Sequence, residues 1–363
     1  TLGLKEIISK YIDHQKEVII RRTRFDLEKS EKRVHILEGY KIALDNIDEV
    51  IKIIKNAETD QIARESLMKR FGLSQIQADS ILELKEEIGF DADVLIIDPK
   101  TKEEAEKRER YAQKFWKSRE RRGVTLLDAQ KLMRERSYFA SMMVLEGDAD
   151  AMLSGYSRSY PTALKPILDL IPRAHGVSKV SSTNLMLTSR GPMFLADTAV
   201  NPDPTAEEIA KIAVMTQHTV KMFGFDPAVA MISFGNFGSS KEASPRKMRQ
   251  AVEMLHQQYP DMVVDGEIQM DFALNQEMLK DKFPFSKLVG KKVNTLVFPN
   301  LDAANTTYKM LKELNGATSI GPILLGLDAP VHVFQLGASV DEMVNMTAVA
   351  VIDAQEKTLR KKA

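Results

Sequence analysis

Apolar residues between Leu4 and Lys55 fall at Leu4, Ile7, Ile8, Tyr11, Ile12, Val18, Ile19, Phe25, Leu37, Tyr40, Leu44, Ile47, Val50, Ile51 and Ile54, a stripe at helical spacing. The stretch has no Pro and a single Gly, Gly39, so nothing in it stops a helix. A helix of about 50 residues would reach about 75 Å, too long for one globular core, and needs a partner along its side. Its middle, Arg21 to Arg33, is densely charged. The basic run Arg21-Arg22-Thr23-Arg24 offers a DNA contact, but Asp26, Glu28 and Glu31 balance it and favour a solvated face. Two shorter helical patterns, Gln61 to Phe71 and Ser74 to Leu84, join at Gly72 with Ser74 as N-cap.

After a seam at Leu84 to Phe90 the pattern becomes strand–helix alternation. Strands are expected at Val94–Ile97, Asp148–Gly155, Val180–Leu187, Pro192–Asp197, Val229–Phe234, Met262–Ile268, Val293–Phe298 and Val331–Phe334. The pair around Ser189-Arg190-Gly191 is expected as a hairpin. Helices are expected at Thr101–Ser118, Thr125–Arg134, Tyr138–Leu145, Pro161–Leu170, Thr205–Phe223, Pro245–Gln257, onward from Ile268 to Lys282, Thr306–Leu314 and Ser339–Leu359. Such alternation predicts an α/β fold with a mostly parallel sheet and places a site in the loops after strand ends. The stretch Gly321 to Met346 is the expected centre. A buried strand there runs into a Gly337-Ala338 turn, and Ser339 with Glu342 has the form of a capping box. A turn of this kind aims backbone N–H groups at an anion, although a plain strand–turn–helix corner gives the same spacing.

Composition narrows the classes. The chain has 363 residues, 44% hydrophobic, with zero formal net charge, so no overall field draws it to nucleic acid or a membrane. It has no cysteine, which removes disulfides, thiolate nucleophiles and cysteine-held metal, and suits a cytoplasmic address. No apolar run is long enough to cross a bilayer. The six histidines, His14, His35, His175, His218, His256 and His332, show no ligand spacing, and His332 is expected in the core or an interface. Gly235-Asn236-Phe237-Gly238 lacks the Lys-Ser/Thr ending of a P-loop. Asp265 and Glu267, two apart on one strand, are expected to face one side, as a polar cleft wall or a helix contact.

Two resemblances overlie this pattern. LKEIISKYIDHQKEVIIRRTRFDLEKSEKRVHILEGYKIALDNIDEVIKII with ARESLMKRFGLSQIQADSIL, about residues 1–82, resembles the A subunit of DNA gyrase, at its long outgoing helix and exit gate. The cleaving tyrosine and the returning helix of that family are not in this sequence. YFASMMVLEGDADAMLSG, MFLADTAVNPDPTAEEIA, SFGNFGSS, VVDGEIQMDFAL, LVFPNLDAANTTYK and GPILLGL with GASVDEMVN, about residues 90–357, resemble the phosphate acetyl/butyryl transferase family. Their wording is most similar to the transferase-like domain that ends the hybrid NADP-dependent malic enzymes. The resemblances imply a helical segment at 1–85 and, at 86–363, a phosphotransacetylase-like two-lobed α/β domain lacking its first strand–helix units. Their meeting in mid-domain points to a chimera or truncated fusion, with a natural fusion as the alternative.

Active members of the transferase family move an acetyl group between CoA and phosphate. They carry Ser-Arg-Gly before the last helix, the Arg gripping the phosphoryl group, and an Asp one turn on acts as base. Here Gln335-Leu336-Gly337 stands at that place, followed by Ser339, Asp341 and Glu342. Ser339 and Glu342 are the remaining catalytic candidates. The family's Ser-Thr-Lys-Gly is replaced by Gly235-Asn236-Phe237-Gly238, so a second cation is absent from that motif. The resemblance implies ligand contacts from Ser154, Gly155, Lys165, Ser233, Asn305, Tyr308, Lys309 and Gly337. It implies acetyl-CoA or CoA and acyl phosphate as ligands, no covalent cofactor, no metal, a homo-oligomer, and a malic enzyme domain as partner in the parent family. The expected function is an acyl-CoA-binding, acetyl-CoA-sensing domain with impaired catalysis. The alternatives are a working phosphate acyltransferase and a DNA-gate dimerisation fragment.

Overall fold

The structure is a computed structural model and describes residues 4–57, 59–87 and 95–362. The chain divides into two compact units, Thr1–Ile96 and Ile97–Ala363. The first holds α1 (Leu4–Asp45), α2 (Ile47–Asn56), α3 (Asp60–Phe71) and α4 (Gln75–Glu87). The single long helix expected here is broken at Asn46. The Asn46 amide side chain donates to the Ile42 carbonyl at 2.9 Å, and its own N–H turns to Ala43 instead, so the ladder is interrupted from within. Ala43, Val50, Leu67, Ala78, Ile81 and Leu82 form the core of this unit. A Cβ on Gly39 would lie 2.8 Å from the Gln77 side chain, so glycine is what lets α1 approach α4. Further up α1, Ile19, Ile20 and Phe25 are exposed. Gly72, in the left-handed region, ends α3, and Ser74 accepts from the Gln77 N–H at 3.2 Å as the cap of α4.

The second unit opens with α5 (Ala105–Arg119), α6 (Leu126–Leu132), α7 (Arg136–Glu146), β1 (Met152–Ser154) and α8 (Tyr160–Leu170). The hairpin β2 (Ser181–Thr188) and β3 (Gly191–Ala196) follows, then α9 (Ala206–Met222), β4 (Val229–Ile232), α10 (Ala243–Gln258) and β5 (Val264–Ile268). The chain closes with α11 (Met270–Leu274), α12 (Gln276–Lys282), β6 (Thr295–Val297), α13 (Leu301–Asn315), β7 (Thr318–Leu325), β8 (Val331–Val333) and α14 (Val340–Lys362). A six-stranded sheet has the order β5-β4-β6-β3-β2-β7, and β1 pairs with β8 in a separate two-stranded sheet. Pairings β5/β4, β4/β6, β6/β3 and β1/β8 are parallel; β2 is antiparallel to both β3 and β7.

The wholly apolar run of β4 reflects cover on both faces. Val229 and Met231 pack with Ile209, Met248 and Leu255 under α9 and α10. Ala230 and Ile232 pack with Leu279, Ala304 and Tyr308 on the other side. Several expectations need correction. Residues 95–98 form no strand, and Leu95 is 81% exposed, because this short apolar run has no sheet neighbour to pair with. The helix expected through Lys282 is two, divided at Asn275, whose side chain caps the second. β7 was not expected at all.

His332 lies in the core, 1% exposed. Its Nδ1 accepts from the Leu324 N–H at 3.2 Å, which leaves the proton on Nε2, 3.5 Å from Asp353 on α14. Lys357 stands 3.3 Å from the same carboxylate. Burial pushes the Asp353 carboxyl up, but the nearby Nε2–H of His332 and the charge of Lys357 outweigh it and hold it below the usual range. A depressed carboxylate stabilises the fold above its unfolded pKa of about 4 and loses that contribution as pH falls through the lower folded value. Asp353→Asn should therefore cost about 1–3 kcal/mol at neutral pH. It should also flatten the loss of stability below about pH 4 in urea titrations; an unchanged acid limb would contradict the role.

Candidate active site

β1 and β8 run parallel and end together, with Ser154 opposite Val333. The Phe334 N–H donates to the Ser154 carbonyl at 2.6 Å. Gly155 has φ 108°, and a Cβ there would lie 2.5 Å from the Phe334 carbonyl, so only glycine lets the two strand-end loops pass. Beyond Phe334 the chain turns at Gln335-Leu336-Gly337-Ala338, closed by the Ala338 N–H on the Gln335 carbonyl at 3.2 Å, with Gly337 at φ 81°. Ser339 Oγ accepts from the Glu342 N–H at 3.2 Å, and Glu342 Oε2 accepts from the Ser339 N–H at 2.8 Å. The capping box is complete.

α13 meets this turn with Asn305, Tyr308, Lys309 and Lys312, spaced i, i+3, i+4 and i+7 on one face. Tyr308 OH donates to Gln335 Oε1 at 2.7 Å, and Lys309 reaches the same oxygen at 3.4 Å. Lys312 pairs with Glu342 Oε1 at 2.6 Å. The amide of Asn305 donates to the Thr198 carbonyl at 2.9 Å. Thr198 sits in a loop gathered around Asp197, which accepts from the backbone N–H groups of Ser182, Ala199, Val200 and Asn201. Burial pushes the Asp197 carboxyl up, and the hydrogen bonds from Ser182, the Ala199 amide and Asn201 offset this only in part.

The structure thus brings together Ser154, Gly155, Tyr308, Lys309, Gln335, Gly337, Ser339 and Glu342, with Asn305 on the same helix bonded to the Thr198 carbonyl instead. It does not connect Lys165 or Ser233 to them. Lys165 is exposed on α8, and the buried Ser233 hydroxyl accepts from the Gly235 N–H at 3.3 Å within its own loop. Lys312 was missed, although its place one turn beyond Tyr308 on the same face was a usable signal. Chemically, both oxygens of Glu342 are engaged and its side chain is 14% exposed. Asp341 beside it is exposed. Leu336 is 69% exposed at the tip of the turn. Among the described residues, the cations bonded to this segment are Lys309 and Lys312.

The Gly/Ser loop after β4 is shaped by apolar contacts and one ion pair. Phe237, at φ 40°, packs its ring 4.9 Å from Phe283 and 5.0 Å from Phe285. Glu267, fully buried, accepts from the Gly238 N–H at 2.8 Å and from Arg249 through both oxygens, at 3.0 and 2.7 Å. Burial pushes Glu267 up, but Arg249 and the Gly238 amide pull it below the usual range. Asp265 instead accepts from the Lys287 N–H at 2.8 Å. Of the two arrangements open for Asp265 and Glu267, a polar cleft wall or a helix contact, Glu267 takes the helix contact through Arg249 on α10, and the two side chains part because the register shifts after Met231/Gly266. Among the described residues no group of three or more His, Asp or Glu could hold a metal ion, and no helix is long and apolar enough to cross a membrane.

The family model described as phosphate acetyl/butaryl transferase matches residues 45–351. The phosphate acetyltransferase of Thermoanaerobacterium thermosaccharolyticum is 38% identical over 267 residues, covering 72% of this chain and 80% of that protein. The NADP-dependent malic enzyme of Salmonella typhimurium is 34% identical over 358 residues, covering 96% of this chain and 45% of that protein. The chain spans under half the length of several curated relatives, this malic enzyme among them. A phosphotransacetylase structure from Streptococcus pyogenes superposes with a TM-score of 0.66 at 33% identity, covering 82% of this chain and 84% of that one. An alignment over 96% of the chain must include most of residues 1–82, and the family match itself begins at residue 45. These matches give no support to the gyrase-like reading of that segment or to a chimera.

Truncating Arg249 to alanine would strand the buried Glu267 carboxylate. We expect a loss of about 3–5 kcal/mol in urea unfolding; a loss under about 1 kcal/mol, the size of an exposed pair, would contradict that account of the loop.

Proposed function

Because the chain belongs to the phosphate acetyl/butyryl transferase family, we propose that its second unit binds acyl-CoA at the turn after β8 with acyl transfer impaired. The observation that carries this is the state of residues 335–342. Leu336 stands where the family's phosphate-gripping Arg is expected, and Glu342 is held by Lys312 and the Ser339 N–H. A charge-assisted contact to phosphate is worth about 1.5–3 kcal/mol, and the turn offers none from residue 336. A domain that binds without turning over suits acetyl-CoA sensing. The malic enzyme alignment supports a decarboxylase as the activity so regulated. A working transferase remains the second reading, favoured by Lys309 and Lys312 beside the turn. We further infer self-association through α14, whose exposed Val340, Val344, Val351 and Leu359 lie along its length.

A coupled assay for acetyl-CoA formation from acetyl phosphate and CoA, run beside thermal melting, separates the two catalytic readings. Impaired catalysis predicts background rates with a melting temperature raised by acetyl-CoA. Turnover at a rate of about 1 per second or more, ordinary for an enzyme, would reject it. Absence of any melting shift would reject acyl-CoA binding. Light scattering should give a mass above one chain, and Val344→Lys should lower it; a monomer throughout would refute self-association.

A further inference from the structure

A concavity of 270 Å³ lies where β3 and β6 begin, between the β2–β3 turn and the loop before β6. The Ser233 loop follows the other end of β4, which runs parallel to β6, so this concavity lies at the opposite ends of the strands. Its rim carries Arg190, Lys291 and Lys292, its floor includes Met193, Leu274 and Val293, and no acidic residue lines it. Among the described residues, the Lys291 and Lys292 ammonium groups have no ion pair or hydrogen bond.

The walls are built rather than loose. Arg190 donates to the Leu274 carbonyl at 2.8 Å, which holds its guanidinium over the floor. Gln276 braces the facing loop through the Lys291 carbonyl and the Gly290 N–H, each at 2.8 Å. Thr188 closes the turn on the Gly191 carbonyl at 2.8 Å. The Lys292 ammonium lies 3.3 Å from where a side chain on Gly191 would begin, so it leans back over the turn. Three cations share one hollow with no opposite charge, an arrangement whose repulsion a bound anion relieves.

We propose that this hollow is an anion site, separate from the turn after β8. It takes a compact organic phosphate, with the dianionic group among Arg190, Lys291 and Lys292 and an apolar body against Met193, Leu274 and Val293. The volume is near the lower end for small-molecule pockets, about 300 Å³, which excludes a whole coenzyme.

Calorimetric titration at low salt with phenyl phosphate, and with inorganic phosphate as the probe lacking an apolar body, tests this. Phenyl phosphate should saturate a single site and bind more tightly than inorganic phosphate. Lys291→Gln and Lys292→Gln, both exposed, should each weaken it by about two- to five-fold. Lys117→Gln, which removes one exposed charge on α5, away from the residues that line the hollow, should leave it unchanged. Equal loss in that control, equal affinity for the two probes, or no saturable binding at millimolar ligand would each overturn the proposal.

Discussion

The turn after β8 is held by α13. Tyr308 fixes the Gln335 amide, Lys312 fixes Glu342, and Glu342 in turn fixes Ser339. These bonds consume the side chains that would otherwise be free for chemistry. A carboxylate with both oxygens satisfied and a hydroxyl serving as a helix cap make a well-ordered corner. On the proposed reading, Glu342 acts poorly as a base, since proton abstraction would require breaking an ion pair and a cap together. On the same reading the turn keeps a shape suited to an anion, and an exposed leucine, Leu336, stands where a phosphoryl-gripping cation is expected.

That turn is well supported from behind. α14 is joined to β8 through His332 and Asp353, and to α13 through Glu342. α13 is joined in turn to the Asp197 loop through Asn305. Each contact places a polar group on a regular element, which suits a site that must be positioned closely. The Gly/Ser loop after β4 is fixed differently, by a buried carboxylate–guanidinium pair and stacked phenylalanines. Phe237 turns toward Phe283 and Phe285 there, so the position where relatives are expected to present a cation contributes packing.

Local chemistry was legible in the sequence, and long-range pairing was not. Ser339 with Glu342 could be read as a capping box because both halves lie within one turn, and the box forms. The hairpin at Arg190 and the apolar strand β4 were readable for the same reason. β7 escaped because Gly321-Pro322 interrupts it, and Pro is ordinarily a mark against a strand. It is tolerated because β7 lies at the sheet edge and the register with β2 is irregular there. The partners of Glu267 and Glu342 lie 18 and 30 residues away in sequence, beyond any periodicity. Asn46 defeated the long helix because one side chain outcompeted the helical ladder. The family motifs, being contiguous words, named candidate residues without revealing which of them engage one another.

The central claim is that a catalytic shape persists without the cation it requires. The most direct measurement is acetyl-CoA formation from acetyl phosphate by Leu336→Arg compared with the unaltered chain under identical conditions. Restoring a guanidinium at the tip of an otherwise intact turn should raise the rate by about 100-fold over a near-background value. Equal rates in the two proteins, whether both fast or both absent, would contradict the claim.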